Sequence, residues 1–297
     1  MSQLRTPWPG QDEGGLFVRR APASGADPAV FIHGLGGSST NWTDLMGELA
    51  PHVDGAAVDL PGFGRSGPAP SYTVGAHARA VVAFLEGQRR GPVHLFGNSL
   101  GGAVGIRVAA RRPDLVRTLT LVSPALPDLR PRRGLDPRLP LLVIPGVSSV
   151  VRKRMRAQSP EQRARAVLNL CWGDPTEVSP ERLAEAAAEV ARRDGQAHSG
   201  VALAASASAL IRSYLVRGRA SAWELAGRVT APTLLVWGDK DRLVDVRLAP
   251  RAQAALRGSR LLVLPGVGHV AQMERPEEVA SAFLALRDEV DALGRVR

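Results

Sequence analysis

The sequence predicts an α/β chain, in which a mostly parallel, doubly wound sheet of about eight strands carries an inserted helical block. Three observations point there. Short apolar runs that end in glycine turns, such as PAVFIH up to His33 and PVHLF before Gly97, have the composition of buried parallel strands. These runs alternate with segments of helical spacing, as βαβ units require. The alternation stops near Pro124 and resumes only after position 222, with no convincing strand in between.

Each element follows from its local pattern. Residues 15–20 (GLFVRR) read as a short edge strand. PAVFIH is a strand, and 40–50 has helical spacing that puts Trp42, Leu45, Met46 and Leu49 on one side. GAAVDLPGFGRS gives a buried strand and then a glycine-rich loop. A helix is expected over 74–88, a strand at PVHLFGN, a helix over 100–111 and a strand at VRTLTLVSP. Proline-rich connectors follow, then helical patterns over roughly 147–170, 180–194 and 200–217. The strand rhythm returns with APTLLVWGDKD, a helix over 246–256, SRLLVLPGVGH and a closing helix over 276–293. This divides the chain into a first core half (1–124), an inserted helical cap (125–222) and a second core half (223–297).

Bulk properties exclude several classes. A chain of 297 residues that is 44% hydrophobic can bury a large core. The first residues lack the basic-then-apolar pattern of a signal peptide, and no apolar stretch reaches about 18 residues, so a cytoplasmic protein with no membrane span is expected. Cys171 is the sole cysteine, which rules out an intramolecular disulfide and reads as a buried cap residue rather than a reactive thiol. The net charge is +10, carried almost wholly by arginine. With aromatics at 4% and no nucleic-acid motif, nucleic acid is not an expected partner.

The chemistry is carried by Gly97-Asn98-Ser99-Leu100-Gly101, a G-x-S-x-G motif between a predicted strand and a predicted helix. A sharp strand-to-helix turn pushes the serine hydroxyl above the sheet edge, where a base and a substrate can both reach it. Such a turn has no room for bulk two residues away, hence Gly97 and Gly101. The start of the helix also offers the Leu100 N–H to a developing oxyanion. An acid and a histidine should follow in that order, and they do: Asp241 in GDKDRLV and His269 in GVGHVAQ, each in a loop after a late strand. That is the sheet edge where ligands bind in open α/β folds. Asp239 is the rival acid, expected to brace its loop instead, and Asp128 is a further alternative. His94 reads as core, while His52, His77 and His198 belong to no motif. HGLGG, residues 33–37, supplies a second oxyanion donor from Leu35 or Gly36, with His33 bracing the loop.

Together HGLGGS, DLPGFGRS, GNSLGG, GDKDRLV and GVGHVAQMERPEEV resemble the α/β-hydrolase superfamily, in its capped, serine-nucleophile branch. The resemblance covers both core halves and leaves only the cap unmatched. It implies the α/β-hydrolase fold, a Ser99–His269–Asp241 triad, an oxyanion hole at Leu35 and Leu100, and neither a metal nor an organic cofactor. Epoxide hydrolases and haloalkane dehalogenases of the superfamily place aspartate where this chain has Ser99. The elbow is also similar to that of meta-cleavage-product hydrolases, which cut carbon–carbon bonds in dienoates. Those enzymes carry a tryptophan after the catalytic histidine, where this chain has Val270. Carboxylesterase or lipase-like hydrolysis of small to medium apolar esters is the leading expectation. Carbon–carbon, thioester and lactone hydrolysis are the alternatives. The superfamily also hosts ligand receptors, but a purely binding role gives no reason to keep the three residues together.

In the cap, Leu141, Leu142, Val143, Ile144, Val147, Val150 and Val151 form an apolar stretch beside RKRMR, Arg130, Arg132 and Arg133. The plainer reading is a helix with one buried face and one solvated arginine face. The sharper one is weak contact with an anionic membrane surface. Trp172 and Trp223 are placed either in the pocket or at the cap hinge. An apolar pocket is expected.

Overall fold

The computed structural model describes residues 7–22, 25, 27–128 and 158–294. Eight strands form one sheet: β1 (Gly10–Glu13), β2 (Leu16–Arg20), β3 (Asp27–Ile32), β4 (Val53–Val58), β5 (Val93–Asn98), β6 (Val116–Val122), β7 (Thr233–Gly238) and β8 (Arg260–Leu264). Their order is β1-β2-β4-β3-β5-β6-β7-β8. β1 and β2 pair antiparallel, as do β2 and β4, and all later pairings are parallel. The GLFVRR strand is therefore not the edge. β1 covers it, a four-residue polar strand that carries no apolar signal.

The helices are α1 (Thr43–Leu49), α2 (Val74–Gln88), α3 (Leu100–Arg111), α4 (Pro160–Cys171), α5 (Pro180–Asp194), α6 (Ser199–Tyr214), α7 (Ala222–Ala226), α8 (Ala249–Ala255), α9 (Ala271–Glu274) and α10 (Pro276–Gly294). The expected helix over 40–50 divides into a 3-10 turn (Ser39–Trp42) and α1, with Trp42, Leu45, Met46 and Leu49 all buried. The one expected over 246–256 divides likewise, into a 3-10 turn (Val246–Leu248) and α8.

The central strands are mostly buried and rich in apolar residues because helices cover both faces of the sheet. One core holds Ile32, Leu95, Leu100, Val104 and Trp237, and the other holds Phe31, Trp42, Phe96 and Phe283. Phe31 and Phe96 stack at 4.4 Å between ring centroids, and Phe283 of α10 closes on Phe96 at 4.7 Å. Burying each such ring contributes roughly 1.5–3 kcal/mol.

Between β6 and β7 the described residues form helices and no strand. Ser159 caps α4 by accepting from Gln162 N–H, and Ser179 caps α5 by accepting from Arg182 N–H, each with proline at the next position. The apolar stretch 141–151, RKRMR up to residue 156, and Arg130, Arg132 and Arg133 lie outside the described residues. Among the described residues no helix is long and apolar enough to cross a membrane.

Candidate active site

Ser99 is the single residue between β5 and α3, with φ +52° and ψ −114°, a conformation that L-residues avoid. Three backbone hydrogen bonds hold it there. Its N–H donates to Val122 C=O (3.0 Å), and its C=O accepts from Ala103 N–H (3.1 Å) and Ala125 N–H (2.9 Å). The glycines of the motif are steric necessities. A Cβ on Gly97 would sit 2.4 Å from Gly101 O, and one on Gly101 would sit 2.1 Å from Ile32 O.

Asp241 follows β7 and His269 follows β8, as the order of motifs predicts. His269 Nδ1 donates to Asp241 Oδ2 at 2.8 Å, which leaves Nε2 for another partner. The other carboxylate oxygen, Oδ1, accepts from Leu243 N–H (2.8 Å) and Val244 N–H (2.9 Å). Burial pushes the Asp241 carboxyl upward, but the His269 charge and hydrogen bond and the Val244 amide outweigh it and hold the group below its ordinary value. Asp239 is exposed and accepts from Gly266 N–H at 2.7 Å, so it braces the β8 loop and leaves the imidazole to Asp241. Asp128 lies at the limit of the described residues, and the imidazole nitrogen it would need is taken by Asp241. Ser99 and His269 line one cavity, and the Ser99 hydroxyl makes no hydrogen bond among the described residues.

The loop after β3 supplies the other wall. Gly34 packs so closely that a Cβ there would lie 3.2 Å from Ser99 Cβ. Leu35 lines the cavity, and the turn bond of this loop runs from Gly37 N–H to Gly34 C=O, which leaves the Leu35 N–H outside it. Leu100 is fully buried and could contribute only its backbone N–H, which opens α3 ahead of the helical ladder. His33 is a brace. Its Nε2 accepts from Leu60 N–H (3.0 Å), its Nδ1 donates to Gly34 C=O (2.7 Å), and burial pulls its pKa down. Asp59 ties the DLPGFGRS loop to the same place by accepting from Ser39 N–H (2.6 Å) and Arg65 N–H (2.7 Å).

The cavity has a volume of about 300 Å³. Ala164, Leu168 and Trp172 of the α4 end, together with Val190, Val270 and Met273, give it an apolar wall. The cavity surface is predominantly apolar, as the sequence leads one to expect. It also carries a polar part, made by Arg182, Glu185, Glu189 and Arg193 from α5 with Ser38, Thr40 and Asn41. Arg182 pairs with Asp44 of α1 and with Glu185 (2.5 Å). Burial raises the Glu185 carboxyl against the pull of Arg182. Arg193 Nη1 donates to Gly36 C=O at 2.6 Å, and burial lowers its pKa. Among the described residues Arg193 has no carboxylate within 4.0 Å.

The remaining residues fall into place around this geometry. Trp172 lines the cavity, whereas Trp223 lies under the Arg251 guanidinium (4.1 Å) away from it. Cys171 lines the cavity, and burial, with the charges of Asp241 and Glu274, pushes its thiol up to about 12, which makes it a poor nucleophile. His94 is core, bonded to Thr118 Oγ1 at 2.8 Å. His77 reaches across from α2 to Ser206 of α6 (3.1 Å). Two site residues escape the sequence reading. Asn98 is buried beside Ser99, and its amide donates to Val122 C=O (3.1 Å) and to His269 C=O (3.0 Å), which fastens the serine turn to the histidine loop. Glu274 accepts from Gly268 N–H (2.9 Å). The G-x-S-x-G pattern leaves the identity of position 98 open, so the pattern alone gives no signal for Asn98.

Among the described residues no cluster of histidine, cysteine and carboxylate side chains is arranged to hold a metal ion. The chain belongs to the alpha/beta hydrolase family, whose model matches residues 29–282. It is 29% identical over 273 residues to the dihydrolipoyllysine-residue acetyltransferase component of the acetoin cleaving system of Cupriavidus necator, covering 90% of this chain and 65% of that one. The chain thus spans just under two thirds of that relative's length. It is 27% identical over 283 residues to 2-hydroxy-6-oxo-6-(2'-aminophenyl)hexa-2,4-dienoic acid hydrolase of Metapseudomonas resinovorans, covering 92% of this chain and 88% of that one. It is also 27% identical over 272 residues to pimeloyl-acyl-carrier-protein methyl ester esterase of Neisseria meningitidis, covering 89% and 95%. A thermophilic esterase of Thermogutta terrifontis shares the fold, with a TM-score of 0.71 at 22% identity over 93% of this chain and 94% of that one.

Proposed function

We propose that this chain hydrolyses carboxylic esters through an acyl-enzyme on Ser99. One observation carries the reading: the His269–Asp241 pair, joined at 2.8 Å, shares a cavity with a serine held in a strained turn. Ser99 Oγ attacks the acyl carbon, and its proton passes to His269 Nε2. Asp241 holds the Nδ1–H tautomer and stabilises the imidazolium. The Leu35 and Leu100 N–H groups receive the oxyanion. The tetrahedral intermediate collapses, and the leaving alkoxide takes the proton from His269. Water, deprotonated by His269, then attacks the acyl carbon, releasing the acid and restoring Ser99. The helices between β6 and β7 act as a cap whose apolar wall receives a small to medium acyl group.

A series of p-nitrophenyl esters from acetate to palmitate tests this. Wild type should hydrolyse the short and medium members, and Ser99→Ala should lose at least about 10³-fold in kcat. A folded wild type inactive on the whole series would overturn the reading. A second reading, hydrolysis of a carbon–carbon bond in a dienoate, is favoured by Arg193, a cavity guanidinium without a carboxylate partner among the described residues and so suited to an anionic substrate. Turnover of a ring-fission dienoate with no ester hydrolysis would select it.

A further inference from the structure

The histidine loop and the end of α4 touch backbone to backbone. His269 N–H donates to Cys171 C=O at 2.7 Å. A Cβ on Gly268 would lie 2.2 Å from Cys171 O, and one on Gly173 would lie 2.0 Å from Gly266 O. No side chain can be inserted between these segments. One carboxylate spans the junction: Glu274 Oε1 accepts from Gly268 N–H (2.9 Å), and Oε2 accepts from Gly173 N–H (2.9 Å). The acid loop reaches the same turn, since Arg242 Nη1 donates to Asn169 C=O (2.8 Å) and Nη2 to Gly173 C=O (3.4 Å).

We propose that Glu274 is a positioning residue for the reaction, the clamp that fixes the His269 loop against the end of α4 and so sets where the imidazole stands relative to Ser99. The inference rests on the hydrolase reading of Ser99, Asp241 and His269. Glu274 sits outside the cavity wall and does not touch substrate. Its neighbouring arginine, Arg275, pairs with Glu177 and Glu278, and the Glu274 oxygens face the Gly268 and Gly173 amides, with the Val270 amide a further, weaker donor. Replacing one carboxylate oxygen by an amide NH₂ sets a donor against a backbone donor. One side of the clamp then opens, and the backbone on that side shifts. An imidazole displaced by a fraction of an ångström loses its line to the serine hydroxyl. Trp172 and Val270 flank the clamp and line the cavity, so acyl binding shifts too, but by less than the proton transfer.

Glu274→Gln is the test, with Glu278→Gln on the exposed face of α10 as control. We expect kcat on the best p-nitrophenyl ester to fall about tenfold with KM changed by less than about threefold, and fluorophosphonate labelling of Ser99 to slow in proportion, since both need His269 as base. Amide hydrogen exchange at Gly268 or Gly173 should accelerate, because one of these N–H groups loses its acceptor. Glu274→Asp keeps the charge but is too short to bridge both amides, and it should show the same pattern in milder form. It also serves if the glutamine variant does not fold. A rise in KM that exceeds the fall in kcat, or unchanged kcat and exchange in a folded variant, overturns the proposal. Failure of the hydrolase reading is seen separately, as a wild type that neither labels nor hydrolyses. In that case faster exchange at either amide still supports the clamp, and unchanged exchange refutes it.

Discussion

Asp241→Asn should reverse the tautomer of His269, and the structure fixes the sense of the reversal. Asp241 Oδ1 accepts from two buried backbone donors, Leu243 N–H and Val244 N–H, while Oδ2 faces His269 Nδ1. An asparagine there has one oxygen and one NH₂. Keeping the oxygen at Oδ1 satisfies both amides and turns the NH₂ toward Nδ1. The flipped orientation sets the NH₂ against two amide donors, at a cost of about 1–3 kcal/mol for each donor left unpaired. The first orientation is therefore favoured by about 2–6 kcal/mol, or roughly 30-fold to 10⁴-fold. In that orientation Nδ1 must accept, so Nε2 carries the proton and cannot take one from Ser99. We expect kcat/KM on a p-nitrophenyl ester to fall by about 10²–10⁴-fold with the fold intact by circular dichroism. Asp239→Asn, at an exposed carboxylate that accepts from Gly266 N–H, should stay within about threefold of wild type, the effect of weakening one net hydrogen bond of below about 1 kcal/mol. A folded Asp241→Asn enzyme within tenfold of wild type, or an Asp239→Asn enzyme as impaired as Asp241→Asn, would refute the assignment of the acid.

Two stability predictions follow from buried groups. Burial lowers the His77 pKa from 6.5 to about 4. The unfolded chain then takes up the proton first, so stability is complete above pH 6.5 and declines by about 3 kcal/mol as pH falls toward 4. Urea unfolding across that range should be steeper in pH for wild type than for His77→Gln. Asp44→Ala should cost about 3 kcal/mol by leaving the buried Arg182 with Glu185 as its remaining carboxylate, read as a lower urea midpoint at unchanged m-value.

The fold, and the places of Ser99, Asp241 and His269 on it, were legible because local backbone geometry dictates them. A turn that brings Gly97 and Gly101 into backbone contact admits only glycine, so the motif writes its own position into the chain. Asp241 and His269 are readable because each follows a short apolar strand, the fully buried β7 and the half-buried β8. β1 was not readable. Four residues, two of them exposed and none with a large apolar side chain, carry no period-2 hydrophobic signal, and its pairing to β2 is the only reason it is a strand. Asn98 and Glu274 were hidden for another reason. Their acceptors and donors lie 171 and 101 residues away, at His269 and Gly173, so neither contact leaves a local pattern.

The polar part of the cavity left no signal in the sequence because α5 breaks the usual rule for an amphipathic helix. Arg182, Glu185, Ala186, Glu189, Val190 and Arg193 fall at i, i+3, i+4, i+7, i+8 and i+11, one face of a helix, and all six line the cavity. Four of the six are charged, so a reading from the sequence turns that face toward solvent. Asp44 reverses it. The buried carboxylate on α1 captures Arg182 at the start of α5 and draws the charged face inward. Arg193, three turns further on and about 16 Å along the axis, is then delivered to Gly36 in the loop that carries the Leu35 amide. The core thus places Ser99 and His269 in one cavity through tight, glycine-bearing turns. The character of the group that can lie beside them is set by how one charged helix is anchored, and that depends on a partner 138 residues away in sequence.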